Sequence, residues 1–94
     1  MSSSDAPGWT FLSNHGHVLV ALSRDPAARI REIAAVVGIT ERAAQAILKD
    51  LEVAGYVTKE KVGRRNAYSL NTDLRLRHPA ETETSVRDLL DIFA

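Results

Sequence analysis

The sequence predicts a mostly α-helical domain carrying one small β-hairpin, in the order helix, short helix, helix, hairpin, helix. Three observations carry that prediction. Apolar residues recur at helical spacing in four separate segments. Glycines, Gly38 and Gly55, stop two of them. Between the third and fourth helical segments the chain alternates at period two on both sides of Gly63.

Residues 1–8, MSSSDAPG, have neither a basic n-region nor an apolar h-region. They read as a flexible tail rather than a signal peptide. Residues 9–23, WTFLSNHGHVLVALS, read as a helix behind an apolar lead-in, with Ser13 as N-cap and Val18, Leu19 and Leu22 on one face. Asp25-Pro26 ends it, because the residue before proline is pushed out of the α region. Ile30, Ile33, Ala34 and Val37 then form one helical face, which Gly38 stops. Thr40 is the expected N-cap of the next helix, and Glu41 puts negative charge in its first turn. Ala44, Ile47, Leu48 and Leu51 make that helix's core stripe. Residues 56–61 and 67–70 alternate as strands, with residues 63–66 as the expected turn. Residues 71–77 read as irregular. Pro79 is the expected first position of a last helix over residues 79–94, whose stripe is Val86, Leu89, Leu90 and Phe93.

The chain has 94 residues, which sets one domain as the expectation. Apolar residues make up 45% and charged residues 26%, an ordinary balance for a soluble globular protein. There is no cysteine, which excludes a disulfide framework, a zinc ribbon and a thiol redox site. That fits a reducing cytoplasm, the expected location. No apolar run approaches the roughly 18 residues of a membrane span. The formal net charge of zero hides unlike parts. Residues 38–70 carry six basic and four acidic side chains, and residues 71–94 carry three and five.

Two helices joined by a short turn containing glycine form a helix-turn-helix unit. Ala34, four residues before Gly38, lets the helices cross closely, and a hairpin follows at once. The run REIAAVVGIT, then LKDLEVAGYV, then VGRRNAYSL resembles the winged helix-turn-helix regulators of bacteria and archaea, especially the MarR and ArsR-like groups. The resemblance covers about residues 9–70. It implies a transcriptional regulator that binds double-stranded DNA, with recognition helix 40–54 in the major groove and wing 56–70 on the backbone or minor groove. It divides the chain into the tail, a DNA-binding domain over residues 9–78, and a C-terminal helix for dimerisation.

With the core stripe inward, Arg42, Ala46 and Lys49 fall on the opposite face of the recognition helix, with Gln45 on its flank. Arg42 can pair with guanine, Gln45 with adenine, and Ala46 can accept a thymine methyl. Lys49, Thr40 and Arg31 are phosphate candidates, and Arg64, Arg65 and Asn66 are the wing's. Two features depart from the family pattern: Ala46 replaces a longer polar residue, and Glu41 brings negative charge toward DNA.

His15, His17 and His78 are too scattered for a metal site, and no enzyme signature is present. No cofactor is expected, and no polar cluster nominates a small-molecule effector. The last helix either closes the monomer core or packs on a second copy. The resemblance favours a homodimer, with Trp9, Phe11, Leu12, Val86, Leu89, Leu90 and Phe93 as interface candidates. A winged-helix docking module that binds protein instead of DNA is the alternative.

Overall fold

The computed structural model describes residues 8–94. Of the expected tail, residues 1–7 lie outside the described residues. The elements are α1 (Asn14–Arg24), α2 (Ile30–Val37), α3 (Glu41–Val53), β1 (Val57–Val62), β2 (Arg65–Leu70), a 3-10 turn (Pro79–Glu81) and α4 (Val86–Ile92). This is a winged helix: four helices and one antiparallel hairpin.

Each N-terminus has a local cause. The Ser13 side chain accepts from the Gly16 N–H at 3.3 Å and opens α1. Glu32 accepts from the Arg29 N–H at 2.8 Å, so α2 begins without help from the Arg29 side chain. Thr40 accepts from the Ala43 N–H at 3.0 Å and opens α3. Each such cap stabilises a helix by about 1 kcal/mol.

Gly38 turns α2 into α3 at φ 84°, where its N–H and that of Ile39 both donate to the Ala34 carbonyl. A Cβ built there meets nothing within 4 Å. Gly38→Ala therefore costs only the backbone strain of the left-handed region, about 1–2 kcal/mol. The expected result is a lower urea midpoint with an unchanged slope.

The expected core residues Val18, Leu19, Leu22, Ile33, Ala34, Ala44, Ile47, Leu48 and Leu51 are all buried. The base of the hairpin joins them through Val57 and Tyr68. Tyr56 is buried beside them, and its hydroxyl donates to the Arg75 carbonyl, tying the segment after the wing to the core.

Two expectations are corrected. The hairpin turn is shorter than residues 63–66. Val62 pairs with Arg65 and Lys61 with Asn66, so only Gly63 and Arg64 lie in the turn. Gly63 carries the positive φ, 64°, and Arg64 does not, as in a type II′ turn. The twist of such a turn matches that of the strands, so pairing runs to its edge.

The last helix does not start at Pro79. Residues 79–81 form one 3-10 turn, capped by His78, which accepts from the Ala80 N–H. Leu76 N–H then donates to the Thr84 carbonyl, and Arg75 bridges to Ser85, which holds Ser85 extended. The α-helix starts only after Ser85, whose side chain and that of Asp88 form a capping box.

Of the stripe on α4, Val86 and Leu90 are buried in this single chain and close its own core. In this single chain their side chains are spent on its own core. Leu89 and Leu12 are half-buried, Phe93 is just over one-third exposed, and Trp9 and Phe11 are well exposed.

Candidate nucleic-acid interface

The outer face of α3 is as its periodicity predicts: Arg42, Gln45, Ala46 and Lys49 are all exposed. Beside it the hairpin and the start of α2 form a groove of about 470 Å³. Its wall carries Arg29 and Arg31 from the α2 end, Glu41 and Gln45 from α3, and Arg64, Arg65 and Asn66 from the wing. Four arginines and one glutamate thus line it. A second concavity of about 290 Å³ adjoins it, lined by Gln45, Lys49, Glu52, Lys59 and Asn66. Tyr68 lines both.

The strand register explains why Lys59 joins and places Lys61 on the same side. Lys59 is opposite Tyr68 and Lys61 opposite Asn66, so these four side chains share one face of the hairpin. Burial, and secondarily the Glu52 carboxylate, push the Tyr68 phenol above its ordinary value of 10. Tyr68 is thus a neutral floor between the cations at physiological pH.

Most of these cations are unpaired. Among the described residues the ion pairs are His15–Asp50, Lys49–Glu52 and Arg87–Asp73. Arg29, Arg31, Arg42, Lys59, Lys61 and Arg64 have no carboxylate partner there. Lys49 has only a loose one at 3.9 Å, a separation worth little at an exposed site. Cations left unpaired on one concave face attract a polyanion, even in a chain of zero net charge.

The groove brings together Arg31, Gln45, Arg64, Arg65 and Asn66 of the sequence candidates. Arg42 and Ala46 lie outside it, on the exposed face of α3. The Thr40 hydroxyl is occupied as an acceptor by its cap and keeps its own proton to donate. Arg29, Lys59 and Lys61 were not among the candidates. The Lys-x-Lys alternation in β1 is the signal for two of them, but it becomes readable only with the register.

The histidines go to separate places. His15 Nε2 lies 2.9 Å from Asp50 and joins α1 to α3. The ring of His17 contacts Asn14, and His78 caps the 3-10 turn. Among the described residues no three His, Cys, Asp or Glu side chains group closely enough to hold a metal ion.

A family model described as MarR family matches residues 10–65, more than half of the chain. The chain belongs to the MarR family. No curated protein matches it. The match takes in α1, the helix-turn-helix and the wing tip, so the groove lies almost wholly within the MarR span. MarR-family proteins are regulators of transcription that bind DNA, and this is the chain's role at family level. No helix among the described residues is long and apolar enough to cross a membrane.

Proposed function

We propose that this MarR-family chain binds duplex DNA with α3 in the major groove and the wing on the flanking backbone or minor groove. The supporting observation is the set of unpaired cations that the start of α2 and the hairpin hold on one concave face beside α3. Arg42, Gln45 and Ala46 meet base edges, and Arg31, Thr40, Lys49 and Arg64 meet phosphates. Arg65 and Asn66 complete the wing's wall of the groove. Sequence preference is modest, because Ala46 offers only a methyl contact and Glu41 opposes phosphate approach. The protein works in the cytoplasm without a cofactor.

Fluorescence anisotropy of a labelled random-sequence duplex pool tests this reading. Binding should weaken steeply as salt rises. Selection from the same pool should then give a preferred site, and Arg42→Ala should relax preference at one position of it, by about 1–3 kcal/mol. No binding at low salt overturns the DNA reading in favour of a protein-docking module.

The same reading includes a homodimer. Phe11, Val36 and Phe93 line a common apolar cavity of about 490 Å³, and Phe11 is 93% exposed. Trp9 packs edge-on against Phe11 with ring centroids 5.1 Å apart. A two-fold partner would cover this patch and place two recognition helices about 34 Å apart, one turn of DNA. Sedimentation equilibrium should show a dimer. Phe11→Ser should shift it toward monomer without unfolding the chain, since the side chain contributes almost nothing to the monomer core.

A further inference from the structure

We propose that Arg65 is a positioning residue, a strut that holds the wing against the turn between α1 and α2 and thereby keeps Arg64 at the DNA. The strut itself is a property of the free protein. Only its consequence for binding rests on the DNA reading above.

Adjacent arginines in one hairpin have been given different surroundings by the two-residue turn. Arg64 is in the turn, and among the described residues its side chain has neither a hydrogen bond nor an ion pair. Arg65 is the first residue of β2, and its Nη2 donates to the Ala27 carbonyl at 2.6 Å. Further along the strand, the Tyr68 N–H donates to the Pro26 carbonyl at 3.4 Å. These two bonds tie β2 to one short turn.

That turn is a firm anchor. Asp25 Oδ1 accepts from the Ala27 N–H at 3.2 Å, and the Asp25 carbonyl accepts from the Ala28 N–H at 3.1 Å. Pro26 fixes its own φ, and Ala28 is buried beneath it. The carbonyls of Pro26 and Ala27 are thus presented at a set place.

The hairpin needs such a tie. A two-stranded hairpin is marginal by itself. Only its base is packed here, since β1 is exposed at every residue after Val57. Arg65 makes the tie nearest the tip. A charged donor on a neutral carbonyl is stronger than a neutral pair, and fixing the tip in advance removes part of the ordering cost of binding.

The test has two arms on the full chain. In the free protein, Arg65→Ala should speed hydrogen exchange at the Tyr68 amide, Arg64→Ala should not, and Arg65→Lys, which keeps a charged donor, should restore much of the protection. On the random-sequence duplex pool, Arg65→Ala should weaken binding about threefold to tenfold, the scale of one such hydrogen bond. On an Arg64→Ala background the same change should cost little more, because Arg65 acts through Arg64. Unchanged Tyr68 exchange, with an equal loss on both backgrounds, would overturn the strut and make Arg65 an independent phosphate contact. If the chain binds no duplex at all, the exchange arm still decides the strut, so failure of the DNA reading is told apart from failure of this one.

Discussion

Leu22→Ala should lower the unfolding free energy by about 2–5 kcal/mol. Leu22 is fully buried near the end of α1, where that helix meets the rest of the core. Truncation removes its transfer free energy and leaves a cavity that rigid neighbours fill only in part. A domain of this size has about 5–15 kcal/mol in all, so the loss is a large share of the total. The expected signature is a fall of roughly 4–8 °C in melting temperature per kcal/mol, measured at fixed protein concentration because a dimer's stability depends on it. Val53→Ala, on the exposed side of α3, should stay within about 0.5 kcal/mol and serves as the control. Equal effects at the two positions would contradict the core assignment.

The double change Arg31→Ala with Arg64→Ala should flatten the salt dependence of DNA binding. Each cation that neutralises a phosphate contributes a slope of about −0.9 in log K against log salt. Losing both should reduce the slope by about 1.8, and the affinity at low salt should fall the most. These two come from different segments, α2 and the wing tip, and both line the same groove. Arg87→Ala is the matched control. Its guanidinium is 3.0 Å from Asp73 and serves to dock α4 on the loop after the wing. A double variant with the parental slope would mean that these arginines do not meet phosphate.

How far the residues alone reveal this molecule depends on whether the deciding forces are local. The helix-turn-helix was legible because its signals lie within a few residues of their effect: Gly38 at positive φ, Thr40 as N-cap, and a core stripe whose period leaves Arg42 and Lys49 outside. The expected start of the last helix is Pro79, whereas α4 opens at the Ser85–Asp88 box. Backbone bonds from Leu76 to Thr84 and from Arg75 to Ser85 set that start, and these join residues eight and ten apart. The stripe on α4 was visible as apolar, but periodicity does not say what an apolar face meets. Val86 and Leu90 meet this chain's own core.

The candidate site shows the same division. Arginine is visible as a side chain that suits phosphate, yet which arginines are free is a three-dimensional fact. Arg64 and Arg65 look equivalent in sequence and diverge because the turn closes at Val62–Arg65. Lys59 reaches the adjoining concavity because the register turns it to the side of Tyr68, and Lys61 shares that face of the hairpin. Arg29 reaches it because Glu32, and not Arg29 itself, supplies the side chain that caps the start of α2.

The measurement that bears most directly on the groove as a DNA surface is an NMR titration of the isotope-labelled chain with a duplex at low salt. Amide shifts should concentrate in residues 29–31, 41–49 and 59–66 and reverse when salt is raised. Shifts centred on Trp9, Phe11 and Phe93 instead, or no shifts in the groove at any duplex concentration, would contradict it.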